Sequence, residues 1–339
     1  MPPRFSVYVF VAAWSLSCNR ATTSGENDLR TRSVQSNQNN GARKFMGSAF
    51  YTILHTLPMA FVDDQLKSIK IILDNAILSG GIKAKESLIR SSSLINILHE
   101  TVKHDLVETG IEPRNITPSP NSATPEMCIA GFLKSKNQDV CVTPAGIPRL
   151  RRKVTWGPAA VENVYDDYGE EYVRKTFVIN IRSQMSSISK NTDTLFERTF
   201  AEPMNLHMIY PDLVLGEVYL VPVFEYEQGT MDEKKISFMK HRTKIEKYIG
   251  FFDAISGRDD VTRDFYKYER CALLIVDFRT DEPVRYGSTS ELIEDKLLPK
   301  DFPIEYSRIA YDGFIKDMLR TYDGRFGLSH LLGKGTPYF

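Results

Sequence analysis

Residues 271–278, Cys-Ala-Leu-Leu-Ile-Val-Asp-Phe (CALLIVDF), form the stretch that decides the fold class. A predominantly apolar run of this length, rich in branched side chains, is typical of a strand covered on both faces of an α/β sheet. Further strands are predicted upstream at residues 206–210 and 218–224, which are similarly apolar. In residues 176–182 large apolar side chains recur at every second position, and this period of two also indicates a strand.

Helices are predicted on either side of these strands, because apolar residues recur there at spacings of three and four. Two amphipathic helices are predicted, around residues 66–77, ending at Gly80-Gly81, and around residues 94–106. A third is predicted at 232–252, with a basic outer side, and a fourth around 314–322. The sequence thus predicts an α/β or α+β fold, in which a mixed central sheet is flanked by helices and preceded by a helical N-terminal extension.

Shifts in composition along the chain predict its domain organisation. The first residues are apolar, the next are polar with few aliphatic side chains, and a proline-rich segment separates the first helices from the strands. The predicted parts are a signal peptide (1–21), a disordered polar segment (22–45), a helical region (46–110), a linker (111–126), an α/β domain (127–330) and a flexible tail (331–339).

The amino-terminal segment has the pattern of an export signal. Arg4 precedes twelve uncharged residues, 5–16, which is the length of the apolar region of a signal peptide and too short to cross a bilayer. No later run reaches transmembrane length, and 43 basic residues balance 43 acidic ones. The sequence therefore predicts a secreted chain with no transmembrane segment after signal removal, and no overall field that attracts nucleic acid or membrane.

The polar segment carries the tetrapeptide Asn27-Asp28-Leu29-Arg30, followed by Gly41-Ala42-Arg43. A signal peptide, a polar segment with an Arg-x-Leu-Arg motif and then a folded body form the layout of oomycete RxLR effectors, which this N-terminus resembles. Leu29 and Arg30 match the motif, whereas Asn27 stands at its first arginine. The resemblance implies a virulence protein that enters host cells, with Leu29 and Arg30 as its targeting motif, and localisation to the host cytoplasm or host nucleus. The alternative is a chance match.

Carboxylates flank the apolar run 218–224, with Asp212 before it and Glu225 and Glu227 after it. If a hairpin through Gly216 placed Asp212 beside the other two, three carboxylates would hold Mg²⁺ and activate water. This spacing resembles PD-(D/E)xK nucleases. The resemblance implies a catalytic and metal site of Asp212, Glu225 and Glu227, with Lys235 or its neighbour Lys234 steadying the attacking water. The alternative is a set of solvated carboxylates in a turn.

Weaker signals complete the list of candidate residues. Asn115 begins an Asn-Ile-Thr glycosylation sequon, although a proline follows it. In an oxidising compartment Cys128 and Cys141 are candidates for a disulfide, whereas Cys271 is expected to be a buried apolar residue. The basic cluster 149–153 fits either an acidic partner or a solvated loop.

Three functions are compatible with these patterns. The first is a secreted effector-like protein that binds a host macromolecule, either a protein or a nucleic acid, without catalysis and without a cofactor. The second is a secreted Mg²⁺-dependent nuclease, and the third is an extracellular binding module that does not enter host cells. The sequence leaves the identity of the host partner open.

Overall fold

The fold is organised around a six-stranded mixed sheet, seen in a computed structural model that describes residues 60–122 and 124–332. Two small two-stranded ribbons lie outside this sheet. The strands are β1 (Ile116–Thr117), β2 (Met127–Ala130), β3 (Ser135–Gln138), β4 (Val140–Val142), β5 (Arg152–Lys153), β6 (Tyr165–Asp166), β7 (Phe177–Ser183), β8 (Val214–Pro222), β9 (Arg270–Asp277) and β10 (Val284–Arg285).

The sheet has the order β1-β4-β7-β8-β9-β10. Its centre is parallel, because β7 pairs with β8 and β8 pairs with β9 in the same direction. The outer pairs β1–β4, β4–β7 and β9–β10 are antiparallel. Every residue of β8 and β9 is buried, as expected for central parallel strands that are covered on both faces.

Helices cover both faces of the sheet, so that two main hydrophobic clusters lie on either side of it. The helices are α1 (Ala60–Arg90), α2 (Ser93–Glu108), α3 (Glu170–Arg174), α4 (Ile188–His207), α5 (Gln228–Asp232), α6 (Ile245–Ile255), α7 (Thr289–Glu294), α8 (Phe314–Phe326) and α9 (Ser329–Leu332). Helices α1, α2 and α8 belong to one cluster, and α4 and α6 belong to the other.

The predicted fold class is therefore confirmed: a mixed central sheet is flanked by helices, and helices precede it in the chain. The apolar stripes predicted for α1 and α2 are buried against the sheet. Helix α1 is kinked at Gly81, whose φ of 64° lies in the left-handed region. A Cβ atom at Gly81 would lie 2.6 Å from the carbonyl oxygen of Met231, so glycine allows α5 to approach the kink.

Two predicted elements are wrong. Residues 206–210 do not form a strand; they are the buried end of α4 and the turn after it. Residues 232–252 do not form one helix, because α5 ends at Asp232 and α6 begins only at Ile245. Lys234 adopts a left-handed φ of 57°, which interrupts a right-handed helix.

Residues 111–126, predicted as a linker, include the edge strand β1 and a buried Ile116. The first two helices share one hydrophobic cluster with strands of the sheet, so the helical region packs on the same core as the α/β part. The domain boundaries themselves stay a prediction. None of the described helices is both long and apolar enough to cross a membrane.

Several predicted segments lie outside the described residues. They are the signal peptide, the polar segment with Leu29 and Arg30, the first part of the helical region and most of the tail.

Among the described cysteines, Cys271 is fully buried, as predicted. No disulfide joins Cys128 to Cys141 within the described part of the chain.

Candidate functional site

The candidate site lies at the end of the sheet where the parallel strands β7, β8 and β9 terminate. In open α/β sheets, ligands bind in the crevice outside the carboxyl ends of the strands. The segment 223–244 leaves β8 at this edge and leads into α6. It carries most of the basic residues that the sequence placed on one helix, and it presents them from irregular backbone, whereas Lys247 lies on α6.

An open groove of about 850 Å³ lies along the end of this segment and the first turn of α6. Five of its six lining residues are basic. We call it the basic groove, and it is lined by Lys240, His241, Arg242, Lys244, Glu246 and Lys247. The amino end of an α-helix adds partial positive charge, so the start of α6 reinforces the field of these side chains.

The charges in the basic groove are only partly neutralised. Arg242 forms two hydrogen bonds to the Glu246 carboxylate, at 2.9 and 2.5 Å, and these hydrogen bonds lower the pKa of Glu246. Lys247 forms an ion pair with Asp193. Within the described residues, no hydrogen bond or ion pair engages the side chains of Lys240, His241 or Lys244, which are all exposed.

Hydrogen bonds fix the backbone that carries the groove. The buried Thr243 donates its backbone N–H to the carbonyl of Val223 at 2.8 Å and its hydroxyl to the carbonyl of Pro222 at 2.7 Å. The N–H of Met239 donates to the carbonyl of Glu225 at 2.8 Å. Residues on both sides of Lys240 are thus hydrogen-bonded to the segment that follows β8. These bonds hold the backbone of the groove against the end of the sheet.

Helix α1 supports the same segment from the other side. The hydroxyl of Tyr226 donates to Asp74 Oδ1 at 2.7 Å, and Lys70 donates to Asp74 Oδ2 at 2.6 Å. The ammonium group of Lys85 lies 5.1 Å from the centroid of the Tyr226 ring. Burial lowers the pKa of Lys85. These contacts fix the position of the segment relative to the sheet.

The residues predicted as a metal site are not brought together. Asp212 lies before β8 and is held by Arg174, whose Nε is 2.8 Å from Oδ1. Glu225 and Glu227 follow β8, at the opposite end of the sheet. Because the nine residues of β8 are joined by eight steps of about 3.3 Å, roughly 26 Å of strand separates Asp212 from the two glutamates. One ion cannot bridge that distance.

The predicted hairpin through Gly216 does not form, because Gly216 lies inside β8, which is parallel to both neighbours. Glu225 accepts a hydrogen bond from the N–H of Ile188 at 3.2 Å, and the exposed Glu227 accepts one from Ser237 at 2.9 Å. Lys235 is paired with Glu233 at 2.7 Å. Across residues 60–122 and 124–332, no group of three or more His, Cys, Asp or Glu side chains is arranged to hold a metal ion.

The predicted glycosylation site has a structural role. Asn115 is buried, and its side-chain nitrogen donates to the carbonyl of Leu331 at 2.5 Å, so a glycan on that nitrogen would have to displace this contact.

The basic side chains of the cluster 149–153 largely contact neighbouring groups of the protein itself. Arg152, for example, contacts Asp166 at 3.0 Å and Glu170 at 2.8 Å.

Two buried charges were missed by the sequence analysis. Glu217 in β8 and Glu269 beside β9 are both fully buried. Each stands within or next to an apolar strand, and a single acidic residue in such a run was the signal that could have identified them. Glu269 accepts hydrogen bonds from Arg258, Arg325 and the N–H of Leu215, whereas neither oxygen of Glu217 has a hydrogen-bond partner among the described residues.

The basic groove is thus the described feature best suited to contact a ligand, since it is open, charged and fixed in position. Comparisons with protein-family models, curated proteins and solved structures found no match to this chain. Any functional assignment therefore depends on the geometry of the groove and on the pattern of the amino-terminal sequence.

Proposed function

We propose that this protein is a secreted, effector-like protein that acts in host cells by binding a host macromolecule through the basic groove, without catalysing a reaction. The ligand that fits the groove best is an acidic segment of a host protein. Such binding would modulate host defence or host cell death. The groove is the contact surface, and Lys240, His241 and Lys244 are the residues that meet the partner's carboxylates.

The observation that carries this proposal is the set of basic side chains without partners. Arg242 and Lys247 form ion pairs within the chain, whereas the side chains of Lys240, His241 and Lys244 form no hydrogen bond or ion pair among the described residues. Exposed lysines are strongly hydrated point charges that suit carboxylates presented in several orientations. An acidic segment lying along the groove would supply the missing counter-charges.

The charge balance favours an acidic protein segment over a nucleic acid. Proteins that bind nucleic acids through the phosphate backbone typically neutralise about six to ten phosphates. The basic groove offers two lysines and one histidine that form no ion pair among the described residues, and the whole chain has a formal net charge of zero when histidine is counted as neutral. A short acidic peptide requires fewer contacts than a nucleic-acid backbone, which suits a groove lined by six residues.

Secretion and host entry are supported by the sequence alone. The uncharged run 5–16 has the length of a signal-peptide apolar region, and Leu29-Arg30 matches part of the RxLR motif. Fusing residues 1–45 to a fluorescent reporter tests this part of the proposal. The reporter is expected in the medium of the producing cells and then inside host cells. A reporter retained in the producing cells would contradict secretion, and one that is secreted but stays outside host cells would favour the extracellular binding module.

Binding by the groove is tested with a fluorescein-labelled octaglutamate peptide and fluorescence anisotropy. Each exposed ion pair contributes up to about 1 kcal/mol, so reversing two charges in Lys240→Glu/Lys244→Glu should weaken binding by about tenfold or more. Raising the salt concentration should weaken binding by the wild-type protein because the pairs are exposed.

The matched control is Lys234→Glu/Lys235→Glu, which makes the same charge change on exposed lysines outside the groove. This control is expected to keep most of the affinity. Equal loss in both variants would show that only total charge matters and would contradict a specific groove. A single-stranded RNA of equal length that binds more tightly than the peptide would instead assign the groove to nucleic acid.

A further inference from the structure

A buried polar cluster lies between the sheet and α4, away from the basic groove. Asn180 of β7 and Glu217 of β8 are partners in the parallel register, and Cys271 of β9 is the next partner across the sheet. Asn180 and Glu217 are fully buried. Strand geometry places all three side chains on the face that α4 covers, where apolar residues form most of the core.

The hydrogen bonds of this cluster are incomplete within the described residues. Both oxygens of Glu217, both polar atoms of the Asn180 amide and one oxygen of Glu202 have no hydrogen-bond partner there. In folded proteins the great majority of buried polar atoms have partners. Here the unpartnered acceptor oxygens outnumber the single unpartnered donor, the Asn180 nitrogen, so the cluster lacks hydrogen-bond donors.

Arg182 is the basic residue paired with Glu217, and its guanidinium is shared between Glu217 and Glu202. Its Nε lies 3.4 Å from Glu217 Oε1, while its other nitrogens bond to Thr199 at 2.7 Å and to Glu202 at 3.2 Å on α4. Lys136 of β3 is committed to Glu202 at 2.5 Å. One guanidinium therefore faces two carboxylates, and Glu217 receives only part of its positive charge.

The remaining groups around Glu217 do not supply a counter-charge. Asp139, after β3, adds negative charge, and its Oδ2 accepts the N–H of Ile181 at 2.7 Å. Cys271 of β9 and Tyr268, which lies just before β9, also interact with Glu217, and burial raises the pKa of both, which keeps them neutral. Burial raises the pKa of Glu217 itself to about 7, against the opposing effect of Arg182 and Lys136.

We propose that Glu217 and Asn180 form an internal proton-binding site that makes the fold more stable in acidic than in neutral surroundings. Asn180 is the register partner of Glu217 on the neighbouring strand, and a protonated Glu217 would add one O–H donor to this donor-poor cluster and would carry no buried charge. The ionised form has a buried charge and two acceptors with too few donors. Arg182 and Lys136, which lie beside the cluster, are partly exposed, with side chains 21% and 28% accessible, so solvent reaches the edge of the site. This inference does not depend on the function of the basic groove.

The direction of the pH effect on stability follows from the linkage between proton binding and folding. A carboxyl with a pKa of about 7 in the folded state and 4.5 in the unfolded state binds its proton more tightly when folded. Its stabilising contribution is therefore complete below pH 4.5 and is lost as the pH rises through about 7. The loss reaches about 300-fold in the folding equilibrium constant, which is about 3.4 kcal/mol at 1.36 kcal/mol per tenfold change.

The test compares urea unfolding of the wild-type protein and Glu217→Gln from acidic to mildly alkaline pH. Relative to the variant, the wild-type protein is expected to lose stability as the pH rises, by about 300-fold in total. Glu171→Gln is the matched control, since Glu171 is exposed and lies outside the cluster. This control should follow the wild-type profile. Parallel profiles for the wild-type protein and Glu217→Gln would overturn the proposal.

A direct titration keeps the proposal testable even if Glu217→Gln folds poorly. Infrared difference spectra of the wild-type protein, taken between acidic and neutral pH, should contain the band of a protonated carboxyl that disappears near pH 7. The conservative variant Glu217→Asp should keep a titrating buried carboxyl if it folds. A wild-type protein in which every carboxyl has lost its proton by about pH 5 would also overturn the proposal.

Discussion

Replacing Glu269 with glutamine removes a carboxylate, just before β9, that accepts hydrogen bonds from two arginines. Glu269 Oε1 accepts hydrogen bonds from Arg258 and Arg325, both at 2.9 Å, and Oε2 accepts one from the N–H of Leu215 at 2.7 Å. The side chains of Glu269 and Arg258 are fully buried. In Glu269→Gln the Arg258 guanidinium would lose its buried ion-pair partner.

The size of the effect follows from the electrostatics of this network. Burial alone would raise the pKa of Glu269, but His207, Arg325 and Arg258 lower it to about 2, against 4.5 in the unfolded chain. The difference of about 2.5 pH units corresponds to about 3.4 kcal/mol at neutral pH. This agrees with the roughly 3–5 kcal/mol lost when one partner of a buried pair is removed. The stabilisation is present above pH 4.5 and is lost as the pH falls through about 2.

The assay is urea unfolding at pH 7 of the wild-type protein, Glu269→Gln and a surface control. Glu269→Gln is expected to lower the free energy of unfolding by about 3 kcal/mol. The control Glu170→Gln breaks the pair with Arg152 at a side chain that is 55% exposed, and it should cost under about 1 kcal/mol. A loss under about 1 kcal/mol for Glu269→Gln would refute the account of this network.

Two further substitutions test the packing around the sheet. In Gly216→Ala the new Cβ would lie 2.7 Å from the Met318 side chain, so urea unfolding should show a free energy of unfolding lower by about 1–3 kcal/mol. The control Gly229→Ala, whose new Cβ meets no atom within 4 Å, should lower it much less. Equal losses in the two variants would contradict this reasoning. Tyr226→Phe removes the hydrogen bond to Asp74 and should cost about 1 kcal/mol, measured in the same way; an unchanged free energy of unfolding would show that this bond does not stabilise the segment 223–244.

The sequence predicted those parts of the fold whose periodicity is strong. The run 271–278 is a central buried strand over most of its length, and the stripes of α1 and α2 pack on the sheet. Helix α4 was missed because it is largely polar, with Pro203 inside it. Without α4, residues 206–210 and β8 looked like neighbouring strands of a hairpin, although a crossover helix makes β7 and β8 parallel.

The candidate site was predicted in part. The sequence indicates a basic surface after β8, but its pattern placed these residues on one helix over 232–252. The carboxylate cluster predicted from the sequence does not form. Spacing along the chain does not reveal that Asp212 and Glu225 lie at opposite ends of one strand. Glu217 and Glu269 escaped notice because their neighbours come from distant segments, and only the folded chain brings arginines to them.

The most direct test of the central claim is a map of amide chemical shifts in the NMR spectrum as octaglutamate is added to the full chain. If the basic groove binds the peptide, the largest changes in chemical shift at saturation fall within residues 239–247, around Lys240 and Lys244, and they vanish in Lys240→Glu/Lys244→Glu. Shifts that cluster elsewhere on the described surface while residues 239–247 stay unchanged would contradict it.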